Sequence, residues 1–129
     1  MIPYGKQDIN KADIDAVVSV LNSDFLTQGS QVPLFENTLS NYCNVDFGIA
    51  VNSATSALHI ACLALGLEEG DWLWTSPNSF VASANCGLYC GAKVDFVDID
   101  SKTYNLSIDK LEKKLIQAKK ENKLPKILI

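Results

Sequence analysis

The segment "NSATSALHIACLAL" (residues 52–65) joins a predicted strand to a predicted helix, and the same alternation of strands and helices continues along the rest of the chain. The apolar run "FGIAV" (47–51) before it predicts a short buried strand, and "ATSALHIACLALGL" (54–67) predicts a helix that Gly66 ends. Parallel α/β folds bind their ligands at such junctions, beyond the carboxyl ends of the strands. The small and hydroxyl-bearing residues at 52–56 are therefore the first candidate site.

Two interpretations of this junction stand side by side. The first turn of a helix leaves N–H groups unpaired at the positive end of the helix dipole, and the hydroxyls of Thr55 and Ser56 add donors, which together favour a bound phosphate. Asn52 or Ser53 acting as an ordinary helix cap explains the same residues equally well. The segment is neither a GxGxxG turn nor a Walker A loop, which disfavours a nicotinamide oxidoreductase.

The rest of the chain alternates strands with helices. Asn10, with Asp13 three residues later, predicts the cap of a helix that ends near Asn22. Further helices are predicted at 31–43, 80–91 and 108–123, the last capped by Ser107, and further strands at 72–75, 93–97 and 125–129. This order predicts an α/β fold with βαβ units and a largely parallel sheet.

Two loops could contribute to the same site. "TSPNSFVASAN" (75–85) again runs from a strand into a helix, with Ser79 as a possible cap and Phe80 at the first turn. Phe80 either stacks on a flat ring or belongs to the core. "DFLTQG" (24–29) contains Phe25 and either lines the same candidate site or is a plain turn between helices.

Composition excludes several classes of function. The net charge is −4, all 11 basic residues are lysines, and no basic patch indicates nucleic-acid binding. No apolar stretch is long enough to predict a membrane span. The four cysteines lack metal-ligand spacing and predict buried free thiols in a reducing, cytoplasmic compartment, with no metal site. His59 is expected to be a packed or half-exposed helix residue, and the lysine-rich stretch 110–126 a solvated face.

The chain stops within the apolar run "KILI". Because a buried parallel strand needs cover on both faces, we expect the sequence to be the front part of a larger protein; a naturally short terminal strand is the alternative. We expect a helical N-terminal arm at 1–45 and the truncated first part of a larger α/β domain at 46–129.

Several blocks in this order resemble the DegT-type sugar aminotransferases. The blocks are "SATSALH" (53–59), "SPNSFVASAN" (76–85) and "FVDID" (96–100), and the resemblance extends from Tyr4 to Ile129. "PYGKQDI" (3–9) and "FLTQG" (25–29) fit the subgroup that acts in the pseudaminic acid pathway. The resemblance implies a fold-type-I, three-layer αβα enzyme that depends on pyridoxal 5'-phosphate (PLP), of which this chain is an incomplete part.

The resemblance also implies roles for matched positions. Thr55 and Ser56 would hold the PLP phosphate, and Phe80 would stack on its pyridine ring. Contacts with a UDP-linked keto-sugar substrate are implied for Tyr4, Asp24, Phe25, Leu26, Thr27 and Ala54. An amino acid, glutamate in our interpretation, would donate the amino group, and the full-length form would be a homodimer.

The same resemblance implies that part of the site lies outside this chain. The family has a carboxylate at the pyridine nitrogen and a lysine that forms the Schiff base, and neither is expected before Ile129. No residue of the chain is therefore predicted to be catalytic, and the chain alone is predicted to be inactive. The alternative is a non-catalytic phosphate-binding module or remnant that lacks the lysine.

Overall fold

The computed structural model describes Ile2 and residues 5–129. The described residues up to Ala50 form one compact unit, and Val51–Ile129 form a second. None of the described helices is long and apolar enough to cross a membrane.

The first unit contains helices α1 (Lys11–Leu21) and α2 (Gln31–Cys43). Asn10 caps α1 as predicted, because its Oδ1 accepts from the Ala12 N–H at 2.8 Å while Asp13 Oδ2 accepts from the Asn10 N–H at 2.8 Å. Both helices therefore lie where the sequence predicted them. No residue of α1 is buried, so its predicted apolar face remains exposed among the described residues.

The second unit is built from helices on both sides of a parallel sheet. Its elements in chain order are α3 (Ala54–Ala64), β1 (Trp72–Thr75), α4 (Ala82–Tyr89), β2 (Lys93–Phe96), α5 (Ile108–Glu121) and β3 (Ile127–Leu128). The strand order is β2-β1-β3, and β1 is parallel to both neighbours. The predicted α/β class and parallel sheet are confirmed.

Alternating side chains on β1 divide this unit into three layers. Leu73 is fully buried in a cluster that includes Cys62 of α3 and Cys86 of α4. Trp74 points to the opposite face, where it packs with Ala118 of α5. Since successive side chains of a strand point to opposite faces, this one pair of residues places α3 and α4 on one side and α5 on the other.

Gly87 brings α4 into close contact with the sheet. A Cβ at this position would lie 3.0 Å from Val94 Cγ2 and 3.1 Å from Leu73 Cβ, closer than side chains ordinarily pack. The glycine therefore costs helix propensity but permits the short distance between α4 and β1.

The predicted strand at 47–51 is wrong. The segment forms no strand, Phe47 is 84% exposed, and the Ala50 N–H donates to Glu36 Oε1 at 2.8 Å. An apolar run becomes a strand only where a neighbouring strand pairs with its backbone, and no described strand pairs with this one. The junction before α3 is consequently an irregular segment followed by a helix.

Smaller corrections concern helix ends and thiols. The helix predicted at 80–91 is shorter, and its N-terminal boundary position is Val81, without a side-chain cap; Ser79 is therefore not the cap. Ser107 does cap α5, and Gly66 follows α3 with a φ of 71°. All four cysteines are free thiols; Cys62 and Cys86 are buried as predicted, whereas Cys90 is half-buried and Cys43 is exposed.

Replacing Gly87 should test how closely α4 must approach the sheet. We expect Gly87→Val to lower the free energy of unfolding by about 1–3 kcal/mol, because its methyl groups have no room beside Leu73 and Val94. Ala61→Val on the exposed side of α3 serves as the control and should cost a few tenths of a kcal/mol. Chemical denaturation measures both, and equal losses would contradict the packing argument.

Candidate functional site

The first turn of α3 is closed by a local hydrogen-bond network. Ser53 is the helix cap, since its Oγ accepts from the Ser56 N–H at 3.2 Å. Ser56 Oγ donates to Asn52 Oδ1 at 2.7 Å and lies 3.0 Å from Ser53 Oγ. Of the two capping candidates, Ser53 is thus the cap, and Asn52 holds the Ser56 hydroxyl.

Three donors of this turn remain free for a ligand. Among the described residues, the N–H groups of Ala54 and Thr55 and the Thr55 hydroxyl have no hydrogen-bond partner. These donors stand at the positive end of an 11-residue helix, which is the arrangement that binds a phosphate or carboxylate. The residues present therefore fit an anionic group, with Thr55 better placed to donate than Ser56.

A second feature lies at the carboxyl end of β1. A cavity of about 230 Å³, here called the Phe80 cavity, is lined by Thr75, Ser76, Ser79, Phe80 and Phe96, among others. Phe80 is 74% exposed, so it is not part of the core formed by the described residues. An exposed aromatic ring at the carboxyl edge of a parallel sheet is available to stack on a planar ligand.

The cavities at Phe80 and at Phe25 are each lined by only some of the predicted site residues. Phe80 lines its cavity, whereas Thr55 and Ser56 do not line it and belong to α3, which packs against α4. In the other compact unit, Phe25 and Leu26 line a cavity of about 240 Å³ near Gln28. Ala54 is the first residue of α3, Asp24 and Thr27 flank the Phe25 segment, and Tyr4 lies outside the described residues.

Thr75 was not among the site residues predicted from the sequence. It is the last residue of β1 and lines the Phe80 cavity, and its buried hydroxyl has no partner. A hydroxyl residue directly before a Ser-Pro loop was the visible indication. Its burial depends on the helix packed above the strand, which a linear pattern does not reveal.

Cys62 and His59 have the surroundings of residues that contribute to packing. Burial, followed by a hydrogen bond with Cys86, raises the pKa of Cys62 to about 12, so this thiol stays protonated at neutral pH. The half-buried His59 packs edge-on against Tyr89 with 5.3 Å between ring centroids. Within the described residues, no group of three His, Cys, Asp or Glu side chains is arranged to hold a metal ion.

None of the chain's 11 lysines, all of which are described, lines the Phe80 cavity. Lys114 comes near it, since its Nζ donates to the carbonyl oxygen of the lining residue Phe96 at 2.6 Å. Lys114 makes an ion pair and a cation–π contact with the sheet. Its Nζ contacts Asp95 at 2.6 Å and lies 4.9 Å from the centre of the Trp74 ring. Burial alone would raise the pKa of Asp95, but hydrogen bonds from Lys114 and the Phe96 N–H outweigh it and lower that pKa. These contacts attach α5 to the sheet.

Comparison with known proteins gives a consistent result. The sequence profile of the DegT/DnrJ/EryC1/StrS aminotransferase family matches residues 7–122. A UDP-4-amino-4,6-dideoxy-N-acetyl-beta-L-altrosamine transaminase of Campylobacter jejuni subsp. jejuni serotype O:23/36 (strain 81-176) is 44% identical over 117 residues, which cover 91% of this chain. The chain spans only 31% of that relative's length.

Solved structures agree with the sequence relatives. Helicobacter pylori PseC, an aminotransferase involved in the biosynthesis of pseudoaminic acid, matches with a TM-score of 0.84 at 34% identity, over 98% of this chain and 33% of that one. A putative sugar aminotransferase from Streptococcus pneumoniae, Spr1654 in its PLP form, matches with a TM-score of 0.82 at 32% identity, over 87% of this chain and 29% of that one.

The resemblance found in the sequence is therefore confirmed, and so is the expected fold. The match covers most of the chain, and the same parallel sheet between helices recurs in the solved relatives. The chain belongs to the DegT/DnrJ/EryC1/StrS aminotransferase family.

Proposed function

We propose that this chain forms the N-terminal part of a PLP-dependent aminotransferase that acts on a nucleotide sugar. The observation that carries the proposal is the set of free donors at the start of α3, namely the N–H groups of Ala54 and Thr55 and the Thr55 hydroxyl. They suit the dianionic phosphate of PLP, and solved relatives include PLP and PMP forms.

Each part of the site has a task in this proposal. The α3 donors bind the phosphate, and Asn52 fixes the Ser56 hydroxyl beside them. Phe80 stacks on the pyridine ring and keeps water from one of its faces. PLP, when bound, supplies the electron sink for transfer of an amino group. The pyridine-nitrogen carboxylate and the covalent lysine come, in our proposal, from chain beyond residue 129.

The name of a relative supports a proposal for the substrate. The C. jejuni relative is named a UDP-4-amino-4,6-dideoxy-N-acetyl-beta-L-altrosamine transaminase. We therefore propose a UDP-linked 4-keto-6-deoxy sugar as amino acceptor, glutamate as donor, and a cytoplasmic homodimer in pseudaminic acid biosynthesis. Tyr4, Ala54 and the segment from Asp24 through Phe25 and Leu26 to Thr27 would contact the sugar nucleotide. Membership of an aminotransferase family does not favour the alternative of a non-catalytic binding module.

Thr55 should contribute measurably to PLP affinity. In the full-length enzyme, we expect Thr55→Val to weaken PLP binding by about 1.5–3 kcal/mol, because one hydrogen bond to a charged group is lost. Equilibrium titration of PLP absorbance measures this loss. The control is Thr38→Val, since among the described residues Thr38 Oγ1 bonds only to the Leu34 carbonyl of its own helix, at 2.7 Å. Equal PLP affinities of the Thr55 variant and the parent would show that Thr55 does not bind the phosphate.

Phe80 should affect binding without affecting stability. Because its side chain is 74% exposed, Phe80→Ala should change the free energy of unfolding by about 0.5 kcal/mol or less in the absence of PLP. It should nevertheless lower PLP affinity, since the stacking surface is gone. Thermal melts with and without PLP separate the two effects. Phe47→Ala, at another exposed aromatic residue, is the matched control. A loss of several kcal/mol in the free energy of unfolding, with unchanged PLP affinity, would show that Phe80 is a core residue.

The 129-residue chain alone should show no aminotransferase activity. Because no lysine lines the Phe80 cavity, borohydride reduction in the presence of PLP should label several surface lysines weakly. Peptide mapping and an amino-transfer assay with a keto-sugar nucleotide measure the outcome. One lysine labelled in full, together with amino transfer, would show that the chain holds a complete site.

A further inference from the structure

The two serine hydroxyls in the first turn of α3 both donate their protons within the protein. Ser56 Oγ donates its single proton to Asn52 Oδ1 at 2.7 Å. Ser53 Oγ has two acceptors beside it, Ser56 Oγ at 3.0 Å and Asn52 Oδ1 at 3.4 Å. Because the Ser56 proton is already donated to Asn52, Ser53 is the donor in its contact with Ser56. Neither serine therefore has an O–H left for a ligand.

These three side chains, here called the Asn52 network, close the turn from outside the helix. Asn52 is exposed and stands two residues before the first residue of α3, whereas Ser56 is the third residue of that helix. The Ser56 N–H donates to Ser53 Oγ at 3.2 Å, so the backbone of the turn is part of the same set of bonds. The network thus spans Ala54 and Thr55 and is bonded on either side of them.

The groups inside this span are the ones that remain unpaired. Among the described residues, the N–H groups of Ala54 and Thr55 and the Thr55 hydroxyl have no hydrogen-bond partner. Donors that are ordered before a ligand arrives bind it more tightly, because the cost of ordering them is not paid at binding. The side chains on either side of these donors therefore influence affinity without contacting the ligand.

We propose that Asn52 and Ser56 are positioning residues for the phosphate, and that the Ser56 hydroxyl does not itself bind it. The inference rests on the proposed function, because it takes the phosphate of PLP as the anion. Asn52 accepts the Ser56 proton, and Ser56 in turn accepts from Ser53 and holds the cap. The phosphate is bound by the donors of Ala54 and Thr55. This differs from the role of direct phosphate contact that the family resemblance implies for Ser56.

The test is a double-mutant cycle with Asn52→Ala and Ser56→Ala in the full-length enzyme. We expect each substitution to raise the dissociation constant of PLP roughly 2- to 6-fold, because each breaks the same network. The double variant should bind PLP no more weakly than the weaker single variant, since no part of the network is then left to lose. Equilibrium titration of PLP absorbance measures all four proteins.

The melting temperature without PLP separates positioning from ordinary helix capping. Asn52 is exposed and Ser56 is half-buried, and neither substitution removes an apolar side chain. We therefore expect both variants to fold and to melt within about 2 °C of the parent. A network that served only to stabilise the helix would lower the melting temperature and leave PLP affinity unchanged.

Two control variants accompany the cycle. Ser56→Thr keeps a hydroxyl that can donate to Asn52 and should retain the parental PLP affinity within about twofold. Ser101→Ala removes another exposed hydroxyl, in the loop before α5, and should change neither affinity nor melting temperature. PLP affinity would then follow the network and not the number of serine hydroxyls in the chain.

The opposing results are equally definite. A loss above about 10-fold in Ser56→Ala, the effect of one hydrogen bond to a charged group, would show that this hydroxyl binds the phosphate and would overturn the inference. Single losses that multiply in the double variant, or unchanged affinity in both single variants, would also overturn it. These outcomes leave the proposed function intact, since Thr55→Val tests it separately. Absence of PLP binding by the unmodified enzyme overturns both.

Discussion

The need to cover both faces of β1 governs the second compact unit. A central parallel strand exposes apolar side chains above and below the sheet, and both sets must be removed from water. Leu73 meets this requirement on the side of α3 and α4, and Trp74 meets it on the side of α5. Every helix of the unit packs against one of these two faces, and Gly87 sets how closely α4 can approach.

The site follows from the same constraint. Once α4 packs on the face of Leu73, the loop between β1 and α4 must pass over the carboxyl edge of the sheet. This loop carries Phe80 into solvent while Thr75 stays beneath the helix. The Phe80 cavity is consequently lined by the end of β1 and by the loop that leads from β1 into α4. On α3, the Ser53 cap and the Asn52–Ser56 hydrogen bond fix the neighbouring donors.

Local sequence rules succeeded where one residue type controls a local geometry. Asn10, Ser53 and Ser107 cap helices because a short polar side chain can reach N–H groups three residues away. The same rules failed at Ser79, where the hydroxyl instead bonds to Ser83 Oγ one helical turn later. They failed again at 47–51, because strand formation depends on a pairing partner that can lie far away in the sequence.

The sequence by itself determined the α/β class, the order and approximate bounds of β1 to β3 and of the five described helices, and the residue types at the candidate phosphate site. Periodicity, caps and the family motifs are local properties that a linear pattern carries. Only the tertiary structure decided that Phe80 is exposed, that Thr75 is buried with an unpaired hydroxyl, and that Ser56 is engaged by Asn52. Burial and hydrogen-bond competition depend on which atoms meet in space, and residues distant in the chain set them.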